Sequence, residues 1–306
     1  PAALSAAGLA TAFGSIYGAY ALYELIQPTT AFIGLALVGL GALALSLRQG
    51  PLIAALGLLG SYATPTMIPS ENPSAWTFFP YLLIIMAACF AVLRQRPWHW
   101  LGYAAIAGSA LWAFLWMAGP FTRQDTLPLG LFTLCFGAIS MLGLSLREAL
   151  SEASGSLQQP EKMSNTLAIG ATGMGVAALV LTTLVVNSAH STTSLLLFFT
   201  GIAAIAAFSW FKQGNSLAAI AAALLSFLVL MNWRQASFIE WAMDENGLWS
   251  TILLGEAPQF MRWMLFIGSA FTLLGLAGYL LRKASINWAA IAAASAIIII
   301  TCAIAT

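Results

Sequence analysis

The sequence predicts an all-α polytopic membrane bundle of about eleven transmembrane helices, and three observations carry that prediction. Of 306 residues, 60% are hydrophobic and 7% charged. A soluble domain is roughly 45–50% apolar and about 25% charged, so this chain cannot cover itself with a water-compatible surface. Its apolar residues come in continuous runs close to the roughly 20 residues that cross a hydrocarbon core about 30 Å thick. The runs lack the ten-residue alternation of a membrane strand, which leaves helices as the way to satisfy the backbone in lipid. A formal net charge of +1 offers no basic field for a polyanion and excludes a nucleic-acid partner.

Taken in order, the spans fall at about 3–25, 29–47, 51–68, 76–93, 100–118, 128–146, 165–187, 194–211, 215–231, 260–281 and 285–304. Pro28, Gly50-Pro51, Pro73, Pro97, Pro120 and Gly214-Asn215 punctuate them, as helix-breaking residues should. Thr64-Pro65 and Pro69 interrupt the third. The three cysteines, Cys89, Cys135 and Cys302, all lie inside apolar runs and read as small buried hydrophobes. A cytoplasmic loop at 147–164 and an outer segment at 232–259 are the longest stretches predicted outside the bilayer.

Orientation follows from the basic residues. Arg48, Arg94, Arg96, Arg147, Lys162, Lys212, Arg282 and Lys283 fall on the face that holds the first residue; Arg123, Arg234 and Arg262 fall on the other. The positive-inside rule then puts the N-terminus in the cytoplasm and the C-terminus outside, in a bacterial inner membrane. The chain opens without an initiator Met and closes inside an apolar run at Thr306. A single transmembrane domain over 1–306, excerpted from a longer protein, is the expectation.

Two short signatures recur. Arg48-Gln49-Gly50 is echoed by Lys212-Gln213-Gly214, and Arg94 stands six residues before Trp100 as Arg282 stands before Trp288. Halves at 1–120 and 165–306 (1–146 and 165–306 with the first half's remaining span) would share orientation, the parallel type of internal duplication. Chance recurrence of interfacial turns in low-complexity apolar sequence is the other reading.

The run Gly57-Leu58-Leu59-Gly60-Ser61-Tyr62-Ala63-Thr64-Pro65 follows Arg48-Gln49-Gly50-Pro51-Leu52 and precedes a polar turn and Trp76. With these residues the chain resembles the bacterial membrane proteins grouped as domain of unknown function 2339, best over about residues 10–118. Gly60-Ser61 stands where that family usually has two glycines. The resemblance implies a multi-span membrane protein and brings no established activity and no catalytic residue.

Candidate sites follow from polar or broken positions in the apolar background. Glu24, near Tyr20 at the end of the first span, is either a carboxylate at membrane depth or a solvated interfacial group. Thr64-Pro65, beside Tyr62, is either a broken helix whose freed carbonyls bind a ligand or a helix that ends near Ala63. Glu24, Tyr20, Tyr62, Thr64 and Pro65 form the candidate ligand set. Trp233, Arg234, Glu240, Trp241 and Trp249 form a lid or partner surface in the outer segment, or a bland interfacial helix. Gly14 and Gly18 make a small-xxx-small pair for helix contact, within the chain or across a dimer. His99 and His190 fall on opposite sides of the membrane, and no catalytic or metal motif occurs, so neither a cofactor nor a metal is expected. A transporter-like or lipid- and amphipath-handling envelope protein fits these features. A non-catalytic scaffold or assembly subunit is the alternative, and an enzyme fits least. The expected partners are membrane lipids, other membrane polypeptides or the rest of a longer chain.

Overall fold

A computed structural model describes residues 2–68, 73–153, 160–211, 222–226, 228–230, 232, 249–281, 291 and 293–295. All the regular structure among them is helical. In chain order the helices are α1 (Ala2–Ala21), α2 (Pro28–Gln49), α3 (Pro51–Met67), α4 (Ala75–Gln95), α5 (His99–Ala118), α6 (Thr126–Ala153), α7 (Pro160–Asn187), α8 (Thr192–Phe211) and α9 (Trp249–Leu281). Two compact units divide the chain, Pro1–Val180 and Leu181–Thr306.

Among the described residues, five helical segments are long and apolar enough to cross a membrane: Pro28–Gln49, Ala75–Gln95, His99–Ala118, Ala168–Asn187 and Arg262–Leu280. The ninth and eleventh expected spans, 215–231 and 285–304, lie largely outside the described residues. Several boundaries differ from those read in the sequence. The stretch 147–164 is mostly not loop, because α6 runs on to Ala153 and α7 starts at Pro160. At 28 residues each, these helices reach about 42 Å, beyond a core of about 30 Å. Their charged ends, including Arg147 and Lys162, continue the helix past the apolar run because Glu, Ala, Leu and Lys are good helix formers. Likewise α9 begins at Trp249, so the last third of the expected outer segment is helical.

Local chemistry explains the helix ends. A single residue, Gly50, links α2 to α3; its φ of 104° lies where only glycine sits without strain. Its N–H closes α2 by donating to the Ser46 carbonyl at 2.8 Å, and Pro51 starts α3 at the position where a missing N–H costs nothing. The Arg96 guanidinium donates to the Leu47 carbonyl at the end of α2 at 2.9 Å, neutralising an orphan acceptor with a cation. That contact places Arg96 at the Arg48 end of the bundle, as the charge pattern anticipates. Before α6, Thr122 and Asp125 form a reciprocal capping box around a 3₁₀ turn.

Close helix packing in the first unit rests on small residues, but not the pair expected on α1. A Cβ built on Gly57 would lie 2.8 Å from the Ala42 Cβ and 3.1 Å from the Gly39 carbonyl oxygen, and one on Gly39 would strike the Ser61 hydroxyl. Gly39 with Ala42 on α2, and Gly57 with Ser61 on α3, therefore bring two backbones together where lipid offers no hydrophobic drive. At Gly14 nothing lies within 4 Å of such a Cβ, so Gly14 makes no packing contact among the described residues. Instead α1 packs through Phe13, against Gly60, and Ile16, against Gly34. Hydroxyls within the apolar helices, such as Thr133 and Ser140, are satisfied by carbonyls four residues back.

Candidate functional site

Pro65 lies inside α3, which runs through it to Met67 instead of ending near Ala63. Proline has no N–H, so the Ser61 carbonyl loses its partner one turn back. The tyrosine hydroxyl of Tyr81 on α4 takes that place, donating to the Ser61 oxygen at 2.6 Å. From α5, Trp112 Nε1 donates to the next carbonyl, that of Tyr62, at 3.1 Å. Tyr62 in turn reaches α5: its hydroxyl donates to the Ala105 carbonyl at 2.9 Å and lies 2.7 Å from the Ser109 hydroxyl. Gly108 makes room for the ring, since a Cβ there would come within 2.8 Å of it. Thr64 bonds back to the Gly60 carbonyl at 2.8 Å. Only the Ser61 hydroxyl, fully buried, finds no partner among these groups. The carbonyls that a broken helix would offer to a ligand are thus taken by neighbouring side chains. This region locks three helices together.

Tyr62, Thr64 and Pro65 lie on α3, Tyr20 on α1 and Glu24 in the turn after it. Tyr20 packs into an apolar cluster around Ala31, Leu35 and Ile68, beside Met67 and Phe32. Glu24 follows the end of α1 at Ala21 and is exposed, with a left-handed φ of 51°. Trp233, Arg234, Glu240 and Trp241 lie outside the described residues, and Trp249 is the first residue of α9. Among the described residues no three His, Cys, Asp or Glu side chains gather as a metal site. Tyr81 and Trp112 were not singled out in the sequence. The proline implied that a donor must reach Ser61, but nothing in the sequence says which aromatic of another span supplies it.

A second feature went unforeseen. In the second unit, α8 and α9 line a groove of about 1200 Å³, larger than the roughly 300–1,000 Å³ of ordinary small-molecule pockets. Phe199 of α8 stacks on Trp263 of α9 with ring centroids 4.9 Å apart, and Phe266 meets both rings edge-on. Beyond this aromatic step the walls are Ala203, Ala206 and Ala207 facing Ala270 and Leu274. Alanines leave the space that larger side chains would fill. Arg262 is the one charged residue among the described lining residues, and it is exposed. It also opens the apolar segment Arg262–Leu280. The sequence signal was the cluster of small residues in both helices, which composition alone could not distinguish from ordinary helix contact.

Apolar helices of bilayer length, with the carbonyl freed by Pro65 paired within the bundle, define a multi-span helical membrane protein. More particularly, the chain belongs to the family of predicted membrane proteins DUF2339, whose match extends over residues 1–306. The likeness seen in the sequence over about 10–118 therefore covers the whole chain. No curated protein and no solved structure matches it significantly.

Proposed function

We propose that this chain is a bacterial inner-membrane protein of about eleven spans that handles a lipid or other long amphipath, holding it in the groove between α8 and α9. In this arrangement the N-terminus is cytoplasmic, the C-terminus is outside, and the spans fall into two parallel halves. One observation supports the handling role above the others: the groove itself, roomy and, among its described lining residues, apolar but for Arg262 near one end. From Thr192 to Ala207 it follows α8 for 15 residue steps, or about 22 Å. One leaflet of a core about 30 Å thick is roughly 15 Å deep, so the groove suits an acyl chain better than a compact polar solute. The paired state of the α3 carbonyls points the same way, because it removes the broken-helix site a solute transporter would use.

Filling the groove tests the reading. Ala203 is exposed on its wall, so Ala203→Trp should fold normally. Native mass spectrometry of the protein after stepwise delipidation should show retained phospholipid in the parent chain. In the variant retention should fall at least several-fold, the size expected when an occupied apolar site is blocked. Equal retention in both would remove the groove as a lipid site.

A further inference from the structure

Resting on the lipid-handling reading, we infer that the groove takes a two-chain lipid, entering sideways from the bilayer with both acyl chains laid along the alanine walls. Volume and length carry the first step. A methylene group fills about the space of one water in the liquid, roughly 30 Å³. A groove of about 1200 Å³ therefore holds about 40 of them. An extended chain advances about 1.2 Å per bond, as a peptide does over the three backbone bonds of a residue. The 15 residue steps from Thr192 to Ala207, about 22 Å, thus take about 18 methylenes. Two chains match the groove. One chain would leave about half of it unfilled, and walls facing a void lose their dispersion contacts.

The width comes from alanine on both sides. Ala203, Ala206 and Ala207 line the groove from α8 and Ala270 from α9, and each ends at its Cβ. Exposure shows the way in. Ile202 and Ile267, in the lining, are buried and form the floor, whereas Leu196 and Phe266 are 55% and 59% exposed and form the rim. The groove is therefore open along one side, on a surface that faces hydrocarbon in a spanning bundle. A chain enters through that side while its head group stays at the interface. Once one chain lies in the groove, the second, tied to the same backbone, follows by an intramolecular step. A single-chain lipid has no such step and leaves half of the space open.

The experiment equilibrates the purified chain in detergent with equal amounts of dioleoyl-phosphatidylcholine and its single-chain lysolipid, then counts the retained molecules of each by native mass spectrometry. The parent chain should retain mainly the two-chain lipid. Ala270→Phe puts a ring into the groove from the α9 wall. It should lower retention of the two-chain lipid at least several-fold and leave the lysolipid within about twofold. Ala207→Phe does the same from the α8 wall, so a folding defect in one variant leaves the other to decide. Equal retention of the two lipids by the parent chain, or a parallel fall or no change of both in the folded variants, would overturn the two-chain assignment while leaving the groove as a lipid site. Unchanged retention of both lipids in Ala203→Trp would instead take away the groove reading on which the assignment rests.

Discussion

Gly57→Val is expected to destabilise the first unit by roughly 2–3 kcal/mol, the upper range for forcing volume into a close-packed contact. The new Cβ alone would stand 2.8 Å from the Ala42 Cβ and 3.1 Å from backbone atoms of Gly39 and Leu43. Two of those three obstacles are main chain, so no side-chain rotation relieves them. The single-residue link at Gly50 holds the ends of α2 and α3 together and prevents a simple sliding escape. Gly14→Val provides the contrast. With nothing from elsewhere in the described structure within 4 Å of a Cβ built there, its effect should stay within about 0.5 kcal/mol. Unfolding midpoints of the two variants in bicelles, read by tryptophan fluorescence, decide the matter. Similar midpoints would mean that the α2–α3 contact is looser than described.

Tyr81→Phe should cost roughly 1–2 kcal/mol, near the top of the range for hydrogen bonds between membrane helices. The ring, packed 4.7 Å from Phe32, is kept, so the loss isolates the donor to Ser61. The sharper result is the coupling. Pro65→Ala gives α3 back an N–H that can serve the Ser61 carbonyl, and in that background Tyr81→Phe should cost nearly nothing. A double-mutant cycle on in-membrane stability measures the coupling directly. Additive costs would show that Tyr81 is not standing in for the proline's missing donor.

These two contacts show where the sequence was readable. Continuous apolar runs and punctuation at Pro28, Gly50-Pro51 and Pro97 placed α2, α4 and α5 to within a few residues, because bilayer thickness fixes span length. The basic residues correctly brought Arg48 and Arg96 to one end, since helix hairpins return alternate loops to the same side. Helix ends depart from the ends of the apolar runs where helix propensity outlasts hydrophobicity, as after Arg147, before Lys162 and between Trp249 and Arg262. At Pro65 the helix continued because a neighbouring hydroxyl replaced the lost donor, a contact between residues 20 apart in sequence. Which glycine meets which helix was equally hidden: Gly14 and Gly57 sit in similar local sequence, and only the angle of each helix decides which is covered. The groove was illegible for a related reason. It is made of space left between two helices, and a missing side chain leaves no mark in a sequence already rich in alanine.

The dependence of α3 on later helices sets an order in time. The Ser61 carbonyl waits for Tyr81, which follows 20 residues behind it. At a ribosomal pace of about 5–20 residues per second, that partner arrives roughly 1–4 s later. During those seconds α3, joined to α2 through Gly50, carries one carbonyl without its helical donor. The proline therefore leaves α3 to be completed by a helix synthesised after it.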